Sequence, residues 1–388
     1  MIRSAETRLR RNPHTLLIPG PVNVSERVRG AASRADVGHR EAESLSVLQE
    51  VRQKATGVFG GGATHATVAL TGSGTSALEA VLASVVPPTG HLLVLENGRF
   101  GQRLGHIAKA HRLPLTVASS AWNRPFAEAH VERLLRGRPA ATHLAVVHHE
   151  TSTGLLNPVA EIAKVASDRG VVTIVDAVSS LGGEKLNVVD DRVDWCVSSA
   201  NKCLESLPGV SLVCAARSSW SELPAGSGTF SLDLRGHWRS QELVGEPLFT
   251  PAVQLLFALN TALDLLIAEG TGARHARYTM LAQRLRRGLE EHGVRGVLPP
   301  SHRSATMTVG RLPDGVRFAE LRDRAHRAGF AIYGAPATFG EACGVANMGQ
   351  LRVEDIDRFL EFIGSTLPVT TGSRYRLQSQ GCGSTIAK

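Results

Sequence analysis

Short runs of consecutive apolar residues alternate with amphipathic stretches over the first two thirds of the chain. Apolar runs of about four to eight residues are typical of strands buried on both faces of a parallel sheet. The predicted strands are Thr67–Leu70, Leu92–Leu95, Leu115–Ala118, His143–Val147, Val171–Val175, Trp195–Ser198 and Ser211–Ala215. Helices such as Ser76–Val86 and Val159–Arg169 separate them. The pattern predicts an α/β fold with a mostly parallel mixed sheet covered by helices.

The pattern changes after Pro251, where long helices replace this alternation. The predicted elements there are the helices Val253–Glu269, Ala273–His292, Arg317–Ala328 and Val353–Ile363 and the strands Ser304–Val309 and Phe330–Tyr333. A smaller α+β domain therefore follows the large one. We predict an N-terminal arm at residues 1–16, a large domain at 17–270, a small C-terminal domain at 271–366 and a tail at 367–388.

Composition narrows the class of protein. The chain has 388 residues, of which 43% are hydrophobic and 20% are charged, and these proportions exclude a disordered or fibrous protein. The longest apolar helical run, Val253–Ile267, contains Asn260 and Asp264 and is shorter than the roughly 18 residues of a membrane span. The five cysteines are odd in number and lack metal-ligand spacing, which is typical of a reducing compartment. We expect a cytoplasmic protein with no metal and no membrane partner.

The formal net charge of +8 is carried mainly by arginine, because only six of the 43 basic residues are lysines. The arginines are scattered and aromatic residues make up only 5%, so the sequence does not favour a nucleic-acid partner. The two densest groups are Arg3, Arg8, Arg10 and Arg11 near the N-terminus and Arg274, Arg277, Arg284, Arg286 and Arg287 on one predicted helix. We interpret the first group as part of a flexible arm and the second as a solvated helix face.

The segment after the first predicted strand carries candidate anion-binding groups. Residues 71–76, Thr-Gly-Ser-Gly-Thr-Ser, form a turn of small residues that leads into a helix. Glycines let backbone N–H groups approach an anion, hydroxyls add donors, and the helix N-terminus adds a positive dipole. The segment predicts a phosphate cradle, although a plain strand–helix turn and the loose dinucleotide fingerprint Gly72-x-Gly74-x-x-Ala77 fit the same residues.

Two further segments each place a charged residue just after a predicted strand. Asp176 lies at the sheet edge where open α/β sheets bind ligands, and its alternative role is to cap a helix. Lys202 lies in a loop of small residues, where a partly desolvated amine can form a Schiff base; its alternative is an ordinary surface lysine. In this order, the three features describe a pyridoxal phosphate (PLP) site with a phosphate anchor, a partner for the ring nitrogen and a covalent anchor.

Six motifs occur along the chain in the order found in one enzyme family. They are Pro19-Gly20-Pro21, Gly72-Ser73-Gly74-Thr75, Asn97-Gly98-Arg99-Phe100-Gly101, His149-Glu150-Thr151-Ser152-Thr153-Gly154, Asp176-Ala177-Val178-Ser179-Ser180 and Ser199-Ala200-Asn201-Lys202-Cys203. Over about residues 14–365, the chain resembles the class V aminotransferases, and within them the 2-aminoethylphosphonate:pyruvate aminotransferase group. The resemblance implies the PLP-dependent transferase fold type I and a homodimer with shared active sites.

The resemblance also implies a role for each matching residue. Lys202 would hold PLP as a Schiff base and shuttle the proton at the substrate Cα, Asp176 would keep the ring nitrogen protonated, and Phe100 would stack on the ring. The other implied cofactor-binding residues are Ser73, Gly74, Thr75, Thr153, Ser179 and Thr250. Thr250 would reach across from the second subunit. Pro19 and Gly20 would line the substrate position.

One position departs from the family pattern. Many relatives carry an arginine shortly before a Gly-Asn pair, where it binds the acidic end of the substrate, and Gly344 stands at that substrate-binding position here. A glycine cannot replace a bidentate guanidinium contact. Either Arg40 or Arg99 supplies another cation, or Gly344 opens room for a larger amine. The alternative for Arg40 is a structural ion pair with Glu41.

Three functional hypotheses follow. The first is an aminotransferase that exchanges the amino group of a small-molecule amine with a keto acid such as pyruvate. The second is a PLP-dependent lyase or decarboxylating deaminase that acts on an amino-acid conjugate, such as an S-conjugated cysteine, in secondary metabolism. The third is a nicotinamide-dependent Rossmann protein, in which Glu96, 22 residues after Gly74, would bind the ribose.

Overall fold

The structure is a computed structural model that describes residues 14–137, 140–224 and 228–367. Most of the predicted arm, almost all of the predicted tail, and Cys382 lie outside these residues. The strands are β1 (Thr15–Leu16), β2 (His65–Thr71), β3 (Leu92–Glu96), β4 (Leu115–Ser119), β5 (His143–Val147), β6 (His149–Glu150), β7 (Leu155–Leu156), β8 (Val172–Asp176), β9 (Trp195–Ser199), β10 (Val210–Ala216), β11 (Arg295–Gly296), β12 (Met307–Arg311), β13 (Phe330–Ala331), β14 (Tyr333–Gly334) and β15 (Ala342–Ala346). The helices are α1 (Glu26–Ala32), α2 (Ala42–Val58), α3 (Gly74–Val85), α4 (Arg99–Ala110), α5 (Glu128–Leu135), α6 (Val159–Ser167), α7 (Arg217–Glu222), α8 (Leu234–Trp238), α9 (Val253–Glu269), α10 (Thr271–Glu291), α11 (Phe318–Arg327) and α12 (Val353–Thr366).

Seven strands form the central sheet in the order β2-β10-β9-β8-β5-β3-β4. Strand β10 is antiparallel to both of its neighbours, and all the other pairs are parallel, so the predicted mostly parallel mixed sheet is confirmed. Because β10 lies reversed between β2 and β9, strand β2 runs in the same direction as the five parallel strands. The carboxyl ends of these six strands therefore meet at one edge of the sheet, where open α/β sheets bind their ligands.

The central sheet is buried on both faces, as its continuous apolar strands predict. In β3, Leu92 and Val94 pack into a cluster with α3 and α4, whereas Leu93 and Leu95 pack into an opposite cluster with α2 and α9. All four side chains are 3% exposed or less. The core therefore lies on either side of the sheet and leaves only the strand ends free to carry polar site residues.

The residues after α9 form the predicted α+β unit. Its antiparallel sheet has the order β11-β12-β15-β14, and α10, α11 and α12 contribute to the core beside it. The single strand predicted at Phe330–Tyr333 is wrong, because β13 pairs with β1 while β14 pairs with β15. The strand predicted from Ser304 begins only at Met307, since the Ser304 N–H donates instead to the carbonyl of Gly154 in the large domain, at 2.9 Å.

The interpretation of α10 as a solvated arginine face is wrong for three of its arginines. Arg274 is 1% exposed and pairs with Glu269 at 2.7 Å. Arg277 contacts both Glu205 and Glu269, at 2.9 and 2.8 Å. Arg286 is half-buried and donates to backbone carbonyls of the small unit. Arg274 and Arg277 therefore tie the helix to the loop after β9, whereas Arg286 ties it to the segment that leads into β12.

In the described part of the chain, no single helix is long and apolar enough to cross a membrane. The consecutive helices α9 and α10 meet the length and composition test only when taken together, and they are bent by 85° at the break between them. The four described cysteines are buried free thiols. Across residues 14–137, 140–224 and 228–367, no group of three or more His, Cys, Asp or Glu side chains is arranged to hold a metal ion.

Candidate active site

Three loops at the carboxyl edge of the central sheet carry the predicted site residues. The cradle residues 73–75 follow β2, Asp176 ends β8, and Lys202 lies in the loop after β9. Strands β8 and β9 are parallel neighbours, with Asp176 paired to Val197, so Asp176 lies beside the loop that carries Lys202, and the charge of each acts on the pKa of the other. The cradle joins them because Gly74 packs against Val178 and Ser199, which follow it by more than a hundred positions in sequence.

The predicted cradle caps the N-terminus of α3. The Ser73 Oγ accepts a hydrogen bond from the Ser76 N–H at 3.3 Å. A Cβ added at Gly74 would lie 2.6 Å from a methyl group of Val178 and 3.4 Å from the Cβ of Ser199, so only glycine lets the three loops approach this closely. The N–H groups of the first helical turn are unpaired within the helix and lie at its positive end, an arrangement that binds phosphate.

Asp176 is a buried carboxylate with a single hydrogen bond. It is 4% exposed, and burial raises its pKa to about 6. Its Oδ1 accepts from the Val178 N–H at 2.9 Å, and no other described residue donates to the carboxylate. Residues 177–194 contain no helix, so the alternative role as a helix cap is excluded. A buried carboxylate without a cationic hydrogen-bond partner fits a ligand that brings a positively charged N–H group.

Lys202 is partly buried and packs against the Pro19-Gly20 motif. Its Nζ donates to the Pro19 carbonyl. Gly20 has a positive φ of 119°, and a Cβ there would lie 2.6 Å from the Lys202 Cδ. Burial lowers the pKa of Lys202 to about 8. An amine with a lowered pKa is the form of lysine that reacts with aldehydes near neutral pH, so Lys202 is not an ordinary surface lysine.

A buried ion cluster joins the Lys202 loop to helix α10. The Glu205 N–H donates to the Lys202 carbonyl at 2.9 Å. The Glu205 carboxylate accepts from Arg277 at 2.9 Å and from the Tyr278 hydroxyl at 2.5 Å, and Arg274 lies 3.7 Å from it. These contacts fix the backbone from which the Lys202 side chain extends.

Phe100 lies in the first turn of α4, which is held by the buried Glu150. The N–H groups of Phe100 and Gly101 donate to Glu150 Oε2 at 2.9 and 3.1 Å. The guanidinium of Arg103 lies 4.7 Å from the centroid of the Phe100 ring and donates to the Thr75 Oγ1 at 3.1 Å. Phe100 is therefore connected through Arg103 to the cradle.

Arg103 is a candidate site residue that the sequence did not single out. Its charge lowers the pKa of both Asp176 and Lys202, so it belongs to the same cluster. A cation beside a helix N-terminus suits a doubly charged phosphate. The available signal was spacing, because Arg103 follows Phe100 by three residues and so lies on the same helix face.

The hydroxyl groups of Thr153 and Ser179 are engaged within the protein. Thr153 is fully buried, and its Oγ1 donates to the Glu150 carbonyl and accepts from the Leu155 N–H, both at 3.3 Å. The Ser179 Oγ donates to the His149 carbonyl at 2.9 Å. Both residues lie in the loops that build the site, and their contacts with a cofactor stay predictions.

The residues present fit PLP. The close approach at Gly74 forms a cradle that any Cβ would fill, Asp176 has an oxygen without a donor, and Lys202 supplies an amine with a lowered pKa. These three features match the three groups of PLP: a phosphate, a ring nitrogen that is protonated when bound, and an aldehyde.

Comparison with known proteins decides the family. The sequence model described as aminotransferase class-V matches residues 22–356. The chain belongs to the class V aminotransferases. It is 33% identical over 354 residues to the 2-aminoethylphosphonate–pyruvate transaminase of Vibrio cholerae, a match that covers 90% of this chain and 96% of that protein. The protein of the same name from Bacillus cereus is 33% identical over 360 residues, covering 91% of this chain and 97% of that one.

Solved structures agree with this assignment. The pyridoxamine–pyruvate aminotransferase of Mesorhizobium loti superposes with a TM-score of 0.85 at 28% identity, covering 92% of each chain. An alanine–glyoxylate aminotransferase from Nostoc sp. superposes with a TM-score of 0.87 at 26% identity, covering 92% of this chain and 96% of that one. The class V family implies PLP, so the nicotinamide hypothesis is wrong. The carboxylate of Glu96, its proposed ribose ligand, instead accepts from Gln102 and Ser119 at 3.3 and 3.4 Å.

In this class V aminotransferase, the space beside Gly344 is filled. A Cβ at Gly344 would lie 2.6 Å from the Met307 Cε, and Met307, Val309 and Ala346 form one buried apolar cluster. The Met307 side chain occupies the space beside Gly344, so a larger amine would have to displace it, and the expectation that Gly344 opens room stays a prediction. The Met307 carbonyl lies 3.0 Å from the position of a Cβ at Gly154, so this cluster adjoins the loop that carries Thr153.

The remaining predicted residues lie farther out. Arg40 is 68% exposed and pairs with Glu246 at 3.5 Å, so its predicted pairing with Glu41 is wrong. Arg99 and Thr250 are also exposed. Among the described residues, no hydrogen bond or ion pair joins Arg40, Arg99 or Thr250 to Lys202 or Asp176.

Proposed function

We propose that this class V aminotransferase transfers an amino group from a primary amine to a keto acid such as pyruvate, with its cofactor attached at Lys202. The observation that carries the proposal is the meeting of Lys202, Asp176 and the cradle residues 73–75 at one edge of the sheet. The relatives named above support the keto acid, since three of the four carry pyruvate in their names and the fourth carries glyoxylate.

The residues divide the work of the site. PLP supplies an electron sink that stabilises negative charge at the substrate Cα. The cradle residues 73–75 and Arg103 would bind its phosphate, and Phe100 would cover its ring. Asp176 would hold the proton on the ring nitrogen. The Lys202 Nζ would move the proton at the substrate Cα, and its lowered pKa suits that role near neutral pH.

The apolar cluster beside Gly344 shapes the substrate proposal. Met307 fills the position from which a guanidinium would bind an acidic substrate, and no arginine takes its place in β15. A small amine with a phosphonate or second carboxylate directed at this strand would lose a charge-assisted contact. We therefore propose an amine whose end facing Gly344 is uncharged, and we expect 2-aminoethylphosphonate itself to be a poor substrate.

The absence of the family's arginine at residue 344 also supports a second candidate function, a lyase or decarboxylating deaminase that acts on an amino-acid conjugate. An acid-binding arginine orients the substrate and so sets which bond at the Cα lies perpendicular to the cofactor ring. Without it, a different bond can take that orientation and be the one that breaks.

One assay distinguishes the aminotransferase from the lyase or deaminase. The cofactor-loaded protein is incubated with a panel of amines and amino-acid conjugates, with and without pyruvate, and the cofactor spectrum, alanine and ammonia are followed. Turnover that requires pyruvate and yields alanine supports the aminotransferase, whereas release of ammonia without a keto acid supports the second candidate.

We also propose that the enzyme is a homodimer with shared sites. Four large apolar side chains in the segment before Thr250 are exposed in the single chain: Phe230, Leu243, Val244 and Phe249, at 85%, 63%, 69% and 39%, and the rings of Phe230 and Phe249 lie 5.6 Å apart. Exposed apolar patches mark interaction surfaces, and this one would carry Thr250 toward the cradle of a second copy. Mixing inactive Lys202→Ala with a Thr250 variant tests this proposal, because a shared site predicts partial recovery of activity in the mixed dimer, and separate sites predict none beyond that of the Thr250 variant alone.

A further inference from the structure

A buried polar chain crosses between the two domains next to the Lys202 loop. The His149 Nδ1 lies 3.2 Å from the Ser179 carbonyl and 3.4 Å from the Thr306 Oγ1. The Thr306 hydroxyl in turn donates to Glu184 Oε1 at 3.5 Å, and that oxygen also accepts from the Ala305 N–H at 2.7 Å. His149 and Glu184 come from the large domain and Thr306 from the small unit. All three side chains are buried.

The Nε2 of His149 has no hydrogen-bond partner among the described residues, although the side chain is only 1% exposed. The partner of Nδ1 assigns the tautomer, because a backbone carbonyl can only accept and Nδ1 must therefore carry the proton. Nε2 is then a bare lone pair, which is an acceptor without a donor. Buried acceptors are rarely left unpaired, so this one indicates a donor that arrives with a ligand.

The surroundings keep the imidazole neutral. Burial, together with the nearby charges of Lys202 and Arg286, lowers the pKa of His149 to about 4. The ring lies near the Lys202 loop, because the Ser179 carbonyl that faces the His149 Nδ1 also accepts from the thiol of Cys203, the residue after Lys202, at 3.3 Å. A neutral imidazole beside the reactive lysine does not repel a positively charged amine, and its lone pair can accept one of the amine's protons in a hydrogen bond.

We propose that the His149 Nε2 accepts a hydrogen bond from the amino group of the bound substrate, and that Ser179, Thr306 and Glu184 orient the imidazole for this contact. The proposal rests on the proposed function, since it requires an amine substrate at Lys202. The arrangement follows the general logic by which a second group fixes the tautomer and direction of a histidine that faces a substrate. His149 thus adds a substrate-contacting group to a site in which Lys202 alone carries the covalent chemistry.

The test compares His149→Asn with the wild type. Asparagine keeps an N–H group near the position of Nδ1 but places nothing at the position of Nε2. The probe is L-alanine, the amine that corresponds to pyruvate, titrated into cofactor-loaded protein without a keto acid while the cofactor absorbance is read. Cofactor attachment is measured separately by mass spectrometry after borohydride reduction. We expect unchanged attachment and about tenfold weaker alanine binding, because a hydrogen bond to a charged group is lost.

The matched control is His148→Asn, which changes the neighbouring buried imidazole, whose Nδ1 contacts the Ser180 Oγ at 3.0 Å. Alanine affinity should stay at the wild-type value in this variant. Wild-type affinity in His149→Asn overturns the inference alone, whereas absence of any alanine response in the wild type overturns the proposed function and the inference together.

A second pair of variants decides the question if His149→Asn does not fold. Thr306→Val removes the hydroxyl between His149 and Glu184 while keeping the side-chain shape, and Thr306→Ser keeps the hydroxyl. We expect several-fold weaker alanine binding in Thr306→Val and wild-type binding in Thr306→Ser. Equal affinities in the two variants overturn the proposal.

Discussion

The Met307 Cε lies 2.6 Å from where a Cβ at Gly344 would stand, so these two residues of neighbouring strands occupy one space between them. The missing arginine at residue 344 is thus accompanied by a methionine that fills its place. Methionine is flexible and polarisable, and it fills irregular gaps well. The part of β15 around Gly344 is apolar as a consequence, and if it faces the substrate as we propose, restoring an acid-binding group requires a change at both residues.

Restoring the arginine tests this relationship. Gly344→Arg alone should clash with Met307 and lower stability, whereas Gly344→Arg combined with Met307→Ala should make room for the guanidinium. We expect the double variant to lower the KM for 2-aminoethylphosphonate by about tenfold or more through a charge-assisted contact. Met307→Ala alone is the control and should not improve this substrate. An unchanged KM in the double variant would show that residue 344 does not determine substrate specificity.

The fold was largely predictable because each strand of the central sheet is a continuous apolar run. Strand β5 and helix α9 coincide with their predicted bounds, His143–Val147 and Val253–Glu269. The wrong strand predictions fall in the small unit, where two different strands pair with one predicted strand. Phe330–Tyr333 is divided between two sheets because β1, from the far end of the chain, pairs with its first half. Local patterns cannot report a pairing partner that lies three hundred residues away.

The candidate site was predictable where a single residue carries a distinctive chemistry. Asp176 and Lys202 each follow a strand, and parallel strands place their carboxyl ends together. The roles of Arg103 and His149 were missed, because each depends on contacts with residues of other loops, Thr75 for Arg103 and Ser179 and Thr306 for His149. The sequence does not show which loops come together.

The burial of Arg274 was missed for a related reason. Arginine is usually exposed, and this one is buried because it pairs with Glu269 at 2.7 Å, donates to the Cys203 carbonyl at 3.0 Å and lies 3.7 Å from Glu205.

The lowered pKa of Lys202 predicts the pH dependence of cofactor capture. Only the neutral amine attacks an aldehyde, and burial lowers the pKa of this amine to about 8. The rate of capture by the protein without cofactor should rise with pH up to about 8 and then level off. Stopped-flow absorbance between about pH 6 and pH 10 measures it. A rate that still rises about tenfold per pH unit above pH 9 would indicate an unperturbed lysine and contradict the burial argument.

The ion cluster behind Lys202 predicts a large difference between two arginines of α10. Arg274→Met removes one partner of a buried pair and leaves Glu205 and Glu269 with less compensation, so it should lower the free energy of unfolding by about 3–5 kcal/mol. Arg287→Met changes an exposed arginine of the same helix and should have an effect within about 0.5 kcal/mol. Denaturant unfolding compares them, and equal effects would show that the cluster does not stabilise the loop.

Asp176 should control cofactor affinity through its charge. Asp176→Asn keeps the shape of the side chain but removes the negative charge that, by our proposal, pairs with a protonated ring nitrogen. We expect the dissociation constant of PLP to rise about 10- to 100-fold, the contribution of a hydrogen bond between charged groups. Asp190→Asn, at an exposed acid of the same domain, is the matched control. If Asp176→Asn binds PLP with wild-type affinity, Asp176 is not the partner of the ring nitrogen.

The most direct measurement is the site of covalent attachment. The cofactor-loaded protein is reduced with borohydride, digested and analysed by mass spectrometry, alongside Lys202→Ala and the control Lys185→Ala. We predict that the cofactor mass is found on the peptide containing Lys202 in the wild type and in Lys185→Ala, and on no peptide of Lys202→Ala. Attachment at another lysine of the wild type, or a labelled Lys202→Ala protein, would contradict the assignment of Lys202 as the reactive amine.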